Sequence, residues 1–159
     1  MHERVRLMDW DFGAAILAGL VATGVMTALL YMGRAMMPDK MTMNILQMEG
    51  TMLTRATGPS YAAGFMMGVG FAIIHTLLFQ AFDIDSNLLV WGIAFGSGHW
   101  VIAGMGLGMI GKMHPLMRSG EVTAPGLFAK NLPGMTVMGF FMLHLVYGLV
   151  VGVVYDAAW

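Results

Sequence analysis

Four long apolar stretches, broken by short polar segments, organise this chain. They cover 12–33, 61–82, 88–110 and 135–155, each near the ~20 residues a helix needs to cross a bilayer core. The stretches are apolar all round, without the alternation of a half-buried strand. The pattern predicts an all-α bundle of four transmembrane helices, one integral membrane domain over 1–159. Asp83, Asp85, Ser86 and Asn87 make a tight polar turn after the second stretch, so the second and third helices are expected to be antiparallel neighbours. In the 34–60 segment, Met41, Ile45, Met48 and Met52 recur at helical spacing, which predicts a short amphipathic helix lying on the membrane surface. Pro115, Gly120, Pro125 and Pro133 predict an irregular loop over 111–134.

Small residues mark the packing faces. Gly64 and Gly68 share a stripe with His75; Gly92, Gly96 and Ala103 share one with His99; Gly148 and Gly152 share one with His144. Small residues let helix backbones approach closely in lipid, where no hydrophobic force drives helices together. The histidines are therefore expected inside the bundle. The second and fourth helices also repeat around their histidines: Gly70-Phe71-Ala72-Ile73-Ile74-His75 matches Gly139-Phe140-Phe141-Met142-Leu143-His144. That match suggests two tandem helical hairpins related by an axis along the membrane normal, with His75 facing His144.

Composition agrees with a membrane protein: 58% of residues are hydrophobic and 11% charged, against roughly 25% charged in a soluble domain. A net charge of −1 offers no nucleic-acid footprint, and the absence of cysteine excludes disulfides and thiolate metal sites. The first apolar stretch lacks a small-residue cleavage site and reads as a retained span rather than a signal peptide. Arg4 and Arg6 lie on the side of the termini; Arg34, Lys40, Arg55, Lys112, Arg118 and Lys130 lie in the two long loops. That asymmetry predicts cytoplasmic long loops and both termini outside. Trp10, Tyr61, Trp91, Tyr155 and Trp159 fall at span ends, as an interfacial aromatic belt would.

The segment Gly19-Leu20-Val21-Ala22-Thr23-Gly24-Val25-Met26-Thr27 resembles one found in small four-span bacterial membrane proteins of uncharacterised function. So do His144-Leu145-Val146-Tyr147-Gly148 and Gly152-Val153-Val154-Tyr155. Those proteins are often Met-rich, with a histidine in the second and fourth helices. The resemblance implies four helices in a bacterial inner membrane and carries no activity with it.

Candidate chemistry rests on His75, His99 and His144, because an ionisable group inside a membrane is costly and by default functional. Facing histidines in a four-helix bundle can ligate haem b. The Met content, 19 residues, raises a copper reading, with Met105, Met109 and Met113 along one helical face and His114 directly after them. Met is also a flexible apolar filler, and these residues are spread over every segment. A three-histidine metal site lacks a visible general base, and proton relays usually include a carboxylate, which the apolar stretches do not contain. With no catalytic constellation, the expectation is a non-enzymatic accessory, anchor or scaffold subunit contacting lipid and other membrane subunits or its own copies. The alternatives are a haem- or copper-binding protein and a small-solute or metal permease with a polar cavity between the repeats.

Overall fold

The computed structural model describes residues 10–54 and 57–159. Arg4, Arg6 and Arg55 of the charge count lie outside them. The described chain is all helical in its regular elements: α1 Phe12–Met36, α2 Ile45–Leu53, α3 Thr57–Ala81, α4 Leu88–Met113, α5 Pro115–Arg118 and α6 Gly134–Ala158. Four of these, α1, α3, α4 and α6, are long and apolar enough to cross a membrane. Each extends a few residues beyond its apolar stretch at one or both ends, because capping and backbone geometry, not hydropathy, set where a helix stops. Asp11 caps α1 by accepting from the Ala14 N–H at 2.8 Å. Asn44 does the same for α2 from the Gln47 N–H at 3.2 Å. The expected polar turn after α3 is present, with Asp83 and Asn87 both in the left-handed region at φ 52° and 54°. Short polar side chains make that conformation tolerable.

The tight turn does not make α3 and α4 close partners. They meet through side chains while their backbones stay apart; α4 packs along α6, and α1 packs along both α6 and α3. Side-chain volume is the reason. A Cβ on Gly92 or Gly96 would run into the carbonyl oxygens of Gly148 or His144, and one on Gly148 or Gly152 would meet those of Gly92 or Leu88. These two backbones lie directly on each other. Between α3 and α4 stand rings instead: Phe79 and Phe95 with centroids 5.4 Å apart, Phe82 and Phe95 at 6.2 Å, Phe71 and His99 at 4.5 Å.

The helix expected within 34–60 forms, and it is docked on the protein. Ile45, Leu46, Gly50 and Thr51 are buried, and α2 packs along α3. A Cβ on Gly50 would strike the Ser60 backbone, and one on Gly64 the Leu46 backbone. Glycine on each helix thus lets α2 lie flush on α3, a contact that apolar periodicity does not report. The loop over 111–134 is also more ordered than the prolines suggest. It contains α5 and a single 3₁₀ turn, Leu127–Ala129. Phe128 in that turn covers Gly104 and stacks on Trp100 at 4.9 Å, while Trp100 also meets Phe141 at 4.8 Å. Trp100 therefore packs within the chain. Tyr155 leaves the expected aromatic belt: it is 1% exposed, its ring 6.2 Å from Phe79 and its hydroxyl accepting from the Asp11 N–H.

Candidate functional site

α3, α4 and α6 bring their histidines together. The His99 ring lies 5.4 Å from His75 and 4.8 Å from His144, both edge to face. His75 and His144 are therefore joined through His99 and do not face each other across an open axis. His75 and His144 are buried and His99 is half-buried. Tyr147, one turn beyond His144 on α6, places its ring 5.6 Å from His75 and 6.1 Å from His99. Its hydroxyl donates to the Gly68 carbonyl, tying α6 to α3.

The nitrogens are unequally satisfied. His144 Nδ1 lies 2.6 Å from the Phe140 carbonyl oxygen and donates to it, which leaves Nε2 directed away from its own helix backbone. His75 Nδ1 and His99 Nδ1 are buried and find no hydrogen-bond partner among the described residues. Buried polar atoms without partners are rare, because each forfeits its solvation without a replacement bond.

A fourth ionisable group joins them from outside the membrane spans. Glu49 on α2 borders the same internal cavity as His99, His144 and Tyr147, a space of about 70 Å³. Glu49 is half-buried, and the loss of solvation around its carboxyl pushes it up to about 7. Sequence reasoning missed Glu49 because a carboxylate on a surface helix is ordinarily solvated. The available signal was Gly50 beside it, together with Gly64 on the next helix, a pair that allows α2 to sink against α3. Tyr147 gives no signal as a site residue in the sequence beyond its place one turn after His144.

The remaining predicted site residues lie elsewhere. Met105, Met109 and Met113 are 58%, 65% and 63% exposed on the outer face of α4, away from the cavity. His114 is fully buried and serves as a clamp. Its Nδ1 accepts from the Leu116 N–H at 3.2 Å, capping α5, and its Nε2 lies 3.0 Å from the Met48 carbonyl and 2.9 Å from Thr51 Oγ1. With Nδ1 accepting, Nε2 carries the hydrogen and holds α2 to the start of α5. Thus the structure unites His75, His99 and His144 but not His114 or the three methionines.

This arrangement fits neither a porphyrin nor a ready metal centre. The His99 ring stands against both His75 and His144, where a bis-histidine haem would have to pass, and about 70 Å³ accommodates a few waters rather than a macrocycle. Among the described residues, no group of three His, Asp or Glu side chains is set to hold a metal ion. The rings meet by edges and faces instead of converging their nitrogens on one point. What imidazoles and a carboxyl around a small cavity can do is pass a proton, since each binds and releases one through an accessible lone pair.

A second, larger cavity of about 480 Å³ lies on the loop side of α2, lined by Arg34, Asn44, Gln47, Thr51, His114 and Asn131 among others. Met48 borders both cavities, so α2 is the partition between them. No protein-family model matches the chain, and no match was found among curated proteins or among solved structures.

Proposed function

We propose that this chain is a non-enzymatic, proton-handling membrane protein of the permease kind, with Glu49, His99 and His144 as its working centre and His75 behind them. The observation that carries the reading is Glu49 sharing an internal cavity with His99 and His144 inside a four-span bundle. The objection that the spans offer a relay no carboxylate is answered by α2, which supplies one from a connecting segment. The larger cavity behind Met48 is the compartment a permease needs between the loop-side water and the centre. A bacterial inner membrane, with the long loops cytoplasmic, is the setting this proposal adopts; Arg34, Lys40, Lys112, Arg118 and Lys130 of those loops support it.

The test is proton flux into liposomes carrying the purified chain and an internal pH dye, driven by a potassium diffusion potential. Flux should exceed that of protein-free liposomes. E49Q and H99A should each lower it by roughly a hundredfold, the lower end of what a positioned proton-transfer group contributes. Flux equal to that of empty liposomes, or untouched by E49Q, overturns the proposal.

A scaffold role is the second reading. The glycine faces that suggested it are largely occupied within the chain, by α4 against α6 and α2 against α3. One observation still favours it: α4 is covered least by the rest of the protein, and Val90, Trp91, Ile102 and Met109 lie on its open surface. A discrete oligomer or a co-purifying subunit in mild detergent supports that reading, and a monomer without partners removes it.

A further inference from the structure

We propose that the loop-side cavity is a binding site for a small organic anion, held through Arg34. The inference rests on the permease reading and supplies its substrate class. At about 480 Å³ this cavity falls within the ~300–1,000 Å³ range of small-molecule sites, whereas the inner one, at about 70 Å³, is too small for an organic solute.

The lining chooses the charge. Among the described residues, Arg34, in the last turn of α1, is the one Lys or Arg bordering the space, and no Asp or Glu borders it. Arg34 Nη1 donates to the Thr42 carbonyl at 2.8 Å, which fixes the direction of the side chain. A guanidinium has five N–H donors in a planar fork, so one bond to a carbonyl leaves the others for a carboxylate. A permanent cation in a partly enclosed space without a neutralising acid favours an anion and repels a cation. Asn44, Gln47 and Asn131 add amides that can meet further polar groups of a solute, and Met117, Val122 and Leu132 offer an apolar wall for its carbon body.

The site's position fits the proposed proton centre. Met48 alone of α2's larger apolar side chains borders both spaces, and a thioether chain with its rotatable bonds is an adaptable partition. A bound anion would sit on the loop side of that partition, with Glu49 on the other.

Equilibrium dialysis of the full chain in zwitterionic detergent, with benzoate and its neutral isostere benzamide, tests the proposal. Benzoate should bind saturably, one per chain, and benzamide about tenfold more weakly or worse, the loss of one charged hydrogen-bonded pair. R34Q should abolish the preference. Q47E, which leaves the Arg34 bond to Thr42 in place, should weaken benzoate and spare benzamide. Equal binding of the two compounds, no saturable binding of either, or benzoate affinity unchanged in folded R34Q and Q47E overturns the anion site. Benzoate binding should survive E49Q at fixed pH, so wild-type flux no greater than that of empty liposomes, or flux untouched by E49Q, alongside intact benzoate binding removes the proton centre and leaves this site standing.

Discussion

Glu49, on a helix that crosses no bilayer, shares an internal cavity with His99, which lies midway along a membrane span. The contact depends on how α2 is seated. Three devices hold it: the glycine approach between α2 and α3, the hydrogen bond from Asn44 Nδ2 to the Tyr61 hydroxyl at 3.0 Å, and the His114 clamp.

The carboxyl makes stability depend on pH in a defined direction. Glu49 ionises near 4.5 when unfolded and near 7 when folded, because burial disfavours its charge. Between those values the unfolded chain gives up a proton that the folded chain keeps. Stability therefore falls as pH rises from 4.5 to about 7, and this contribution levels off above that. Thermal unfolding in detergent across this range should show the decline in the wild type and a flatter profile in E49Q. Parallel profiles would refute the assignment.

His114→Ala should detach α2 without replacing any residue that borders the inner cavity. It removes a fully buried ring whose two nitrogens hold Leu116, Met48 and Thr51. The expected cost is about 2–3 kcal/mol, from the buried groups left unpaired. Proteolysis within 40–60 should accelerate, and proton flux should drop although Glu49, His99 and His144 are intact. Unchanged cleavage would show that the contacts with α3 seat α2 without the clamp.

Gly148→Leu should be among the most damaging single changes. Its side chain would enter the space held by the Gly92 carbonyl and the Gly96 Cα. Overpacking costs roughly 1–3 kcal/mol in an adaptable core and more against backbone, which cannot rotate aside. Gly106→Ala, at an open position inside α4, should hold or raise the melting temperature, because alanine loses less backbone freedom in a helix. Comparing the two melting temperatures in detergent checks both.

Replacing Met105, Met109 and Met113 together by leucine should change neither stability nor flux. All three are exposed on α4, and leucine is a volume-conserving substitute for methionine. Loss of tightly bound copper on this triple replacement would restore the methionines as ligands.

The hydropathy pattern by itself determined the four spans, the polar turn at Asp83–Asn87, the existence of a helix near Ile45 and the inward direction of His75, His99 and His144. These are local properties. They depend on which residues suit lipid and on the 3.6-residue period that places small side chains and histidines on one face. Only the tertiary structure decided which faces meet. Gly92 is paired with Gly148 rather than with α3, because the volumes of Phe79, Phe82 and Phe95 hold α3 and α4 apart. Likewise α2 lies on α3, turning Glu49 inward, because Gly50 and Gly64 admit backbone contact between segments whose own periodicity says only that one side is apolar. A pattern along one helix names its buried side; the partner surface is chosen by fit between residues far apart in the chain.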